Sequence, residues 1–105
     1  MTTTIKSFEL TDQSINGTSG QGKMDGVTYE QLVRTFGEPN YGPSGDGKTQ
    51  VEWAVKFINE FDEEVLATIY DWKHYGTRPE DVTYWSVGGH KQEAFWLVKD
   101  ALGIL

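Results

Sequence analysis

The stretch from Gln50 to Phe57 constrains this chain most. Val51, Trp53, Val55 and Phe57 alternate there with Gln50, Glu52, Ala54 and Lys56. A period of two puts successive side chains on opposite faces of a strand and commits one face to a core. After an acidic turn, Glu64 to Trp72 continues as a second strand, with Val65, Ala67 and Ile69 on one side and Leu66, Thr68, Tyr70 and Trp72 on the other. Neither of these faces is plainly polar. The pair therefore reads as a long antiparallel hairpin, one side covered by helices and the other bearing aromatic residues.

The helices are legible from their ends. Thr28-Tyr29-Glu30-Gln31 is a capping box, in which the Thr hydroxyl and the Gln side chain satisfy backbone N–H groups reciprocally. Leu32, Val33 and Phe36 form a short apolar stripe, Gly37 suits the C-cap and Pro39 prevents continuation, so a helix is predicted over Tyr29 to Phe36. Two turns are too few to stand alone, so this helix must lie on the sheet. A last helix is expected from His90 or Lys91 to Leu102, with Ala94, Phe95, Val98, Ala101 and Leu102 at helical spacing and Gly103 closing it. Between them, Val82 to Val87 reads as a third strand ended by Gly88-Gly89, with Tyr84 facing one way and Thr83, Trp85 and Val87 the other. Thr3 to Leu10 carries a weaker strand pattern, and Thr11 to Lys23 is polar and bears glycine and serine. Either residues 1–24 are a loosely tethered strand and mobile loop, or the tract holds a strand of its own.

The run Gly26-Val-Thr-Tyr-Glu-Gln-Leu-Val-Arg-Thr-Phe-Gly-Glu-Pro39, followed by a Gly-rich loop and an alternating hairpin, resembles the helix-loop-strands unit of the β-lactamase-inhibitor-protein and small outer-membrane lipoprotein (BamE-like) repeats. The resemblance covers Gly26 to Trp72. It implies helices packed on one face of an antiparallel sheet, with the other face free to bind a protein. The chain departs from that family in having no cysteine pair, lipobox or signal peptide, which puts the envelope location of that family in doubt for it. In general character it is similar to small accessory proteins encoded by bacteriophages.

Composition narrows the chemistry. With no cysteine, disulfides, thiolate metal sites and cysteine nucleophiles are excluded. The start Met1-Thr-Thr-Thr-Ile-Lys6 lacks the basic and apolar regions of a signal peptide, and no run approaches a membrane helix, so a cytoplasmic protein without membrane contact is expected. A net charge of −7 opposes direct binding of nucleic acid, which draws affinity from Lys and Arg displacing counterions. The same charge suits either plain solubility or an acidic face for a basic partner.

Three local patterns could carry chemistry. Gly42, four residues, then Gly47, Lys48 and Thr49 match a phosphate loop, but that loop works between a buried strand and a helix, whereas here an alternating strand follows. Asp71, His74 and His90 could meet at the strand ends as a metal or acid-base group, although a catalytic zinc usually needs three ligands and a base needs an oriented partner. Asn59 to Glu64 gathers Glu60, Asp62, Glu63 and Glu64 around Phe61, as a solvated hairpin tip or a docking element.

The expected fold is a single α+β domain over residues 1–105, β-α-β-β-β-α, with a three- or four-stranded antiparallel sheet and two helices on one face. The expected function is a non-enzymatic protein-binding module, a phage-type inhibitor of a host factor with a basic surface, acting as a monomer or small homo-oligomer without cofactor or metal. Its contacts would be Glu60, Asp62, Glu63, Glu64, Tyr70, Trp72, Glu80, Asp81 and Tyr84, working by occlusion or by acidic mimicry of nucleic acid. A small nucleotide- or metal-binding protein using Gly42 to Thr49, or His74 and His90, is the alternative.

Overall fold

The computed structural model describes residues 4–9, 17–42, 49–59, 61–72 and 77–104. At its centre, β3 (Glu52–Ile58) and β4 (Glu64–Tyr70) pair antiparallel, with Trp53 opposite Ile69, Val55 opposite Ala67 and Phe57 opposite Val65. The strand starts two residues later than its alternation. The N–H groups of Gln50 and Val51 are given to the Asp71 carboxylate rather than to a neighbouring strand.

β5 (Tyr84–Gly89) adds to β4, and two N-terminal strands complete the sheet from opposite sides. β1 (Thr4–Ser7) pairs with β3, while β2 (Ser19–Asp25) pairs with β5 through a register shift between Gly20 and Gly22. The result is a five-stranded, wholly antiparallel sheet in the order β1-β3-β4-β5-β2. The described element order is thus β-β-α-β-β-β-α, one strand more than the three or four expected. The additional strand lies in the Gly-bearing tract that follows β1. β1 lies in the plane of the sheet as an edge, so its described residues extend the sheet instead of lying across its second face.

α1 (Tyr29–Phe36) has the expected limits, and Thr28 and Gln31 cap it reciprocally at 3.1 and 2.8 Å. α2 (Glu93–Leu102) begins later than the sequence suggests, because β5 runs through Gly88 and Gly89 and a turn through Lys91 and Gln92 precedes it. Those glycines are strand residues for lack of space. A Cβ at Gly89 would stand 2.8 Å from the Leu66 carbonyl oxygen and 2.9 Å from the Ala94 Cβ.

Both helices pack on the face bearing Trp53, Val55, Phe57, Ala67, Ile69, Trp85 and Val87. The core centres on two tryptophans set edge to face, Trp53 and Trp85, with centroids 5.5 Å apart and neither exposed. Each also satisfies its indole N–H, Trp53 on the Gly37 carbonyl and Trp85 on the Val27 carbonyl, both at 2.8 Å. Burial of two such rings is affordable because neither leaves an orphaned donor. Among the described residues no helix is long and apolar enough to cross a membrane.

Candidate functional site

Alternation fixes what the helices leave uncovered. Glu52, Ala54 and Lys56 on β3 point to the second face, with Leu66, Thr68 and Tyr70 on β4, Tyr84, Ser86 and Gly88 on β5 and Lys23 on β2. Trp85, on the opposite side of β5 from Tyr84, belongs to the helix-covered core. Tyr70 and Trp72 meet at the end where β4 leaves the sheet, and Tyr84 lies two residues from Ser86, the register partner of Tyr70.

Tyr70 and Trp72 line a groove of about 460 Å³ with Gly20 to Lys23 of β2 and Ser86. Tyr70 and Trp72 meet edge to face, centroids 6.2 Å apart. The Tyr70 ring leans over Gly88, where a Cβ would lie 3.4 Å from its Cε1 and 2.8 Å from the Thr68 hydroxyl. Glycine here lets a large ring lie flat across the neighbouring strand. Trp72 and Tyr84 keep 39% and 42% of their surface in water. On the β2 side the Lys23 ammonium stands 5.5 Å from the Tyr84 centroid, close enough for a cation–π contact.

Two carboxylates set the electrostatics of the opposite side. Asp71, wholly buried, accepts from Gln50 N at 2.8 Å, Gln50 Nε2 at 2.9 Å and Val51 N at 3.1 Å, and so clamps the start of β3 to the end of β4. Gln50 Nε2 also donates to the Thr77 carbonyl at 2.6 Å. Glu52, opposite Tyr70 in register, is half-buried, and burial followed by the Asp71 charge pushes its carboxyl up from 4.5 to about 6. Burial, then the Glu52 charge, raises the Tyr70 phenol as well.

The acidic residues singled out in the sequence do not form one patch. Asp62, Glu63 and Glu64 lie at the hairpin tip, a turn organised by Asn59 Oδ1 accepting from Phe61 N and Glu63 N at 2.8 and 3.0 Å. Phe61 is 74% exposed there, and Glu64 reaches Lys56 at 3.8 Å. Glu80 and Asp81 occupy a 3-10 turn (Pro79–Asp81) against α1, where Asp81 pairs with Arg78 at 3.1 Å and Glu80 helps raise the Tyr29 phenol after burial and Glu38. The two acidic groups are separated by the length of the central strands, roughly 20 Å for seven residues. Glu60 lies outside the described residues.

The other sequence candidates fall mostly outside the description. Residues 43–48 of the Gly42 to Thr49 loop are not described, and beyond Thr49 the chain enters β3, so a strand stands where a phosphate loop has its helix. His74 is likewise outside, while His90 is exposed just past β5. Among the described residues no three His, Asp or Glu side chains are grouped to hold a metal ion. Sequence reasoning missed Glu52 and Lys23. In the sequence Glu52 reads as the polar half of an alternation, and Lys23 has a face only because β2 is a strand.

No protein-family model, curated protein or solved structure matches this chain.

Proposed function

We propose that the chain is a non-enzymatic protein-binding module whose working surface is the helix-free face of the sheet, with Tyr70, Trp72 and Tyr84 as its anchors. One observation carries this reading: Tyr70 and Trp72 line a groove, with Tyr84 stacked under the Lys23 ammonium that also lines it, on a face that no described helix covers. Aromatic residues held on a rigid sheet offer large contact area at small entropic cost, which is why they dominate binding hot spots. The net charge of −7 favours a partner with a basic surface. Because the acidic groups lie at opposite ends of the strands, steric occlusion fits better than continuous mimicry of nucleic acid charge. A bacteriophage-type inhibitor of a host protein is the form of this function that the sequence resemblance favours.

The test is affinity capture on the immobilised full chain from nuclease-treated bacterial lysate, run beside Trp72→Ala with Tyr84→Ala and, separately, Asp62→Lys with Glu63→Lys. The expected outcome is a stoichiometric partner lost with the aromatic pair and weakened by the charge reversal. A partner indifferent to the aromatic pair would overturn the assignment of the surface.

A further inference from the structure

One row of register partners crosses the helix-free face, with Lys23 on β2, Ser86 on β5 and Tyr70 on β4 side by side. Ser86 is the small member, set between a lysine and a tyrosine, and the row next to it pairs Gly20 with Gly88. Serine and glycine make a low floor between large side chains, and a groove of about 460 Å³ opens there. Two polar groups in this row lack a polar partner among the described residues. Ser86 is 6% exposed, lines the groove and makes no hydrogen bond with its hydroxyl to any described residue. A buried hydroxyl without a partner carries a desolvation cost that a polar group entering the groove would relieve. The Lys23 ammonium, 5.5 Å from the Tyr84 centroid, forms no ion pair with any described carboxylate, Asp25 on the same face included, in a chain of net charge −7. Directly opposed residues hold their Cβ atoms about 5 Å apart, so this ammonium and this hydroxyl can reach one bound group.

We propose that the groove is a small-molecule site for a planar aromatic carboxylate, its ring lying against Tyr70 and Trp72 and its carboxylate received by the Lys23 ammonium and the Ser86 hydroxyl. Both groups are donors, and a hydrogen bond between two charged partners is roughly twice as strong as a neutral one. The two aromatic side chains give the ring a surface to stack on, and a groove of about 460 Å³ is in the size range of ligand sites. A neutral sugar would use the rings and leave the lysine charge without a counterpart, and a cationic ligand would meet Lys23 as a like charge. The site goes beyond the protein-binding reading but shares Tyr70 and Trp72 with it, so a bound ligand covers two of the three anchors.

The probe is 2-naphthoate titrated into the ¹⁵N-labelled full chain, with 2-naphthamide as its neutral analogue and cyclohexanecarboxylate as its non-aromatic one. Saturable shifts at the Trp72 indole and at the Lys23 and Ser86 amides are expected, with a dissociation constant on the order of 1 mM. Both analogues should bind roughly tenfold more weakly. Lys23→Met should lose roughly tenfold in affinity and Ser86→Ala roughly threefold, whereas Lys91→Met, which removes the same charge outside the groove, should bind as the wild type does. Dispersed amide spectra show that each variant is folded. Shifts that do not saturate, equal affinity for the amide or for the non-aromatic acid, or full affinity in a folded Lys23→Met or Ser86→Ala would each overturn the proposal. Failure here with partner capture still dependent on Trp72 and Tyr84 removes the small-molecule site alone; capture independent of them removes the protein-binding surface and leaves this site to the titration.

Discussion

Asp71 joins the stability of the hairpin to the electrostatics of the groove, and its replacement separates the two. Asp71→Ala removes the acceptor of the Gln50 and Val51 N–H groups and one acceptor of the Gln50 side-chain amide, at a wholly buried position flanked by half-buried donors. Hydrogen bonds to a charged acceptor contribute about 1.5–3 kcal/mol each, and the three share one carboxylate, so the loss should be about 3–5 kcal/mol. That is a large fraction of the 5–15 kcal/mol typical of a domain. Asp71→Asn keeps one oxygen for the two backbone donors. It sets an amide against Gln50 Nε2, which still has the Thr77 carbonyl, so a smaller loss of about 1–2 kcal/mol is expected. The same variant removes the second cause of the Glu52 shift and leaves burial, so Glu52 should titrate below 6 without returning to 4.5. Urea denaturation followed by tryptophan fluorescence gives the stabilities, and side-chain carboxyl NMR gives the titration. If Asp71→Ala shifts stability by less than about 1 kcal/mol, or if Asp71→Asn costs as much as Asp71→Ala, the clamp is not what holds β3 to the end of β4.

Glu52→Gln should stabilise the protein above pH 6. Its raised folded pKa means that the native state holds the proton more tightly than the unfolded chain, so the wild type loses stability as pH rises from 4.5 through about 6. The gain should be about 1 kcal/mol after discounting for water reaching the carboxylate, and should vanish below pH 4.5, as urea midpoints at pH 4 and 7.5 would show. Thr28→Ala opens the capping box and should cost about 1 kcal/mol by the same assay. Gly89→Ala places a methyl against the Leu66 carbonyl and Ala94, which a sheet and a helix hold from two sides, and should cost about 1–3 kcal/mol in thermal or urea unfolding.

The parts of the fold that could be read from sequence were those whose signals are local. α1 carries its start and stop in its own side chains, and β3 and β4 carry their pairing in alternation. β2 could not be read this way. Of its seven residues Met24 alone is buried, and the glycine at position 22 is set by a long-range contact, the Phe95 ring that would lie 2.8 Å from a Cβ there. A strand whose glycines accommodate a distant helix looks, in sequence, like a loop. The start of α2 shifted for a related reason, since Gly88 and Gly89 yield space to Thr68, Tyr70 and Ala94 rather than ending the strand. At the site, the aromatic members were visible as strand residues left over from the core. Glu52 was not, because what distinguishes it is Asp71, a residue nineteen positions away in sequence that the hairpin folds back beside it.

The sheet order also imposes a timetable on a chain emerging from the ribosome. β1 and β2 leave the tunnel first, yet Ile5 must wait for Phe57, and Met24 for Trp85, before either strand has a neighbour. The meander from β3 to β5 can zip up from adjacent segments as it appears, whereas both margins require early-made chain to be held in reserve. The few apolar residues of β2, and the lysines at Lys6 and Lys23, suit that delay, because a waiting strand rich in polar and glycine residues offers little for a stray chain to adhere to.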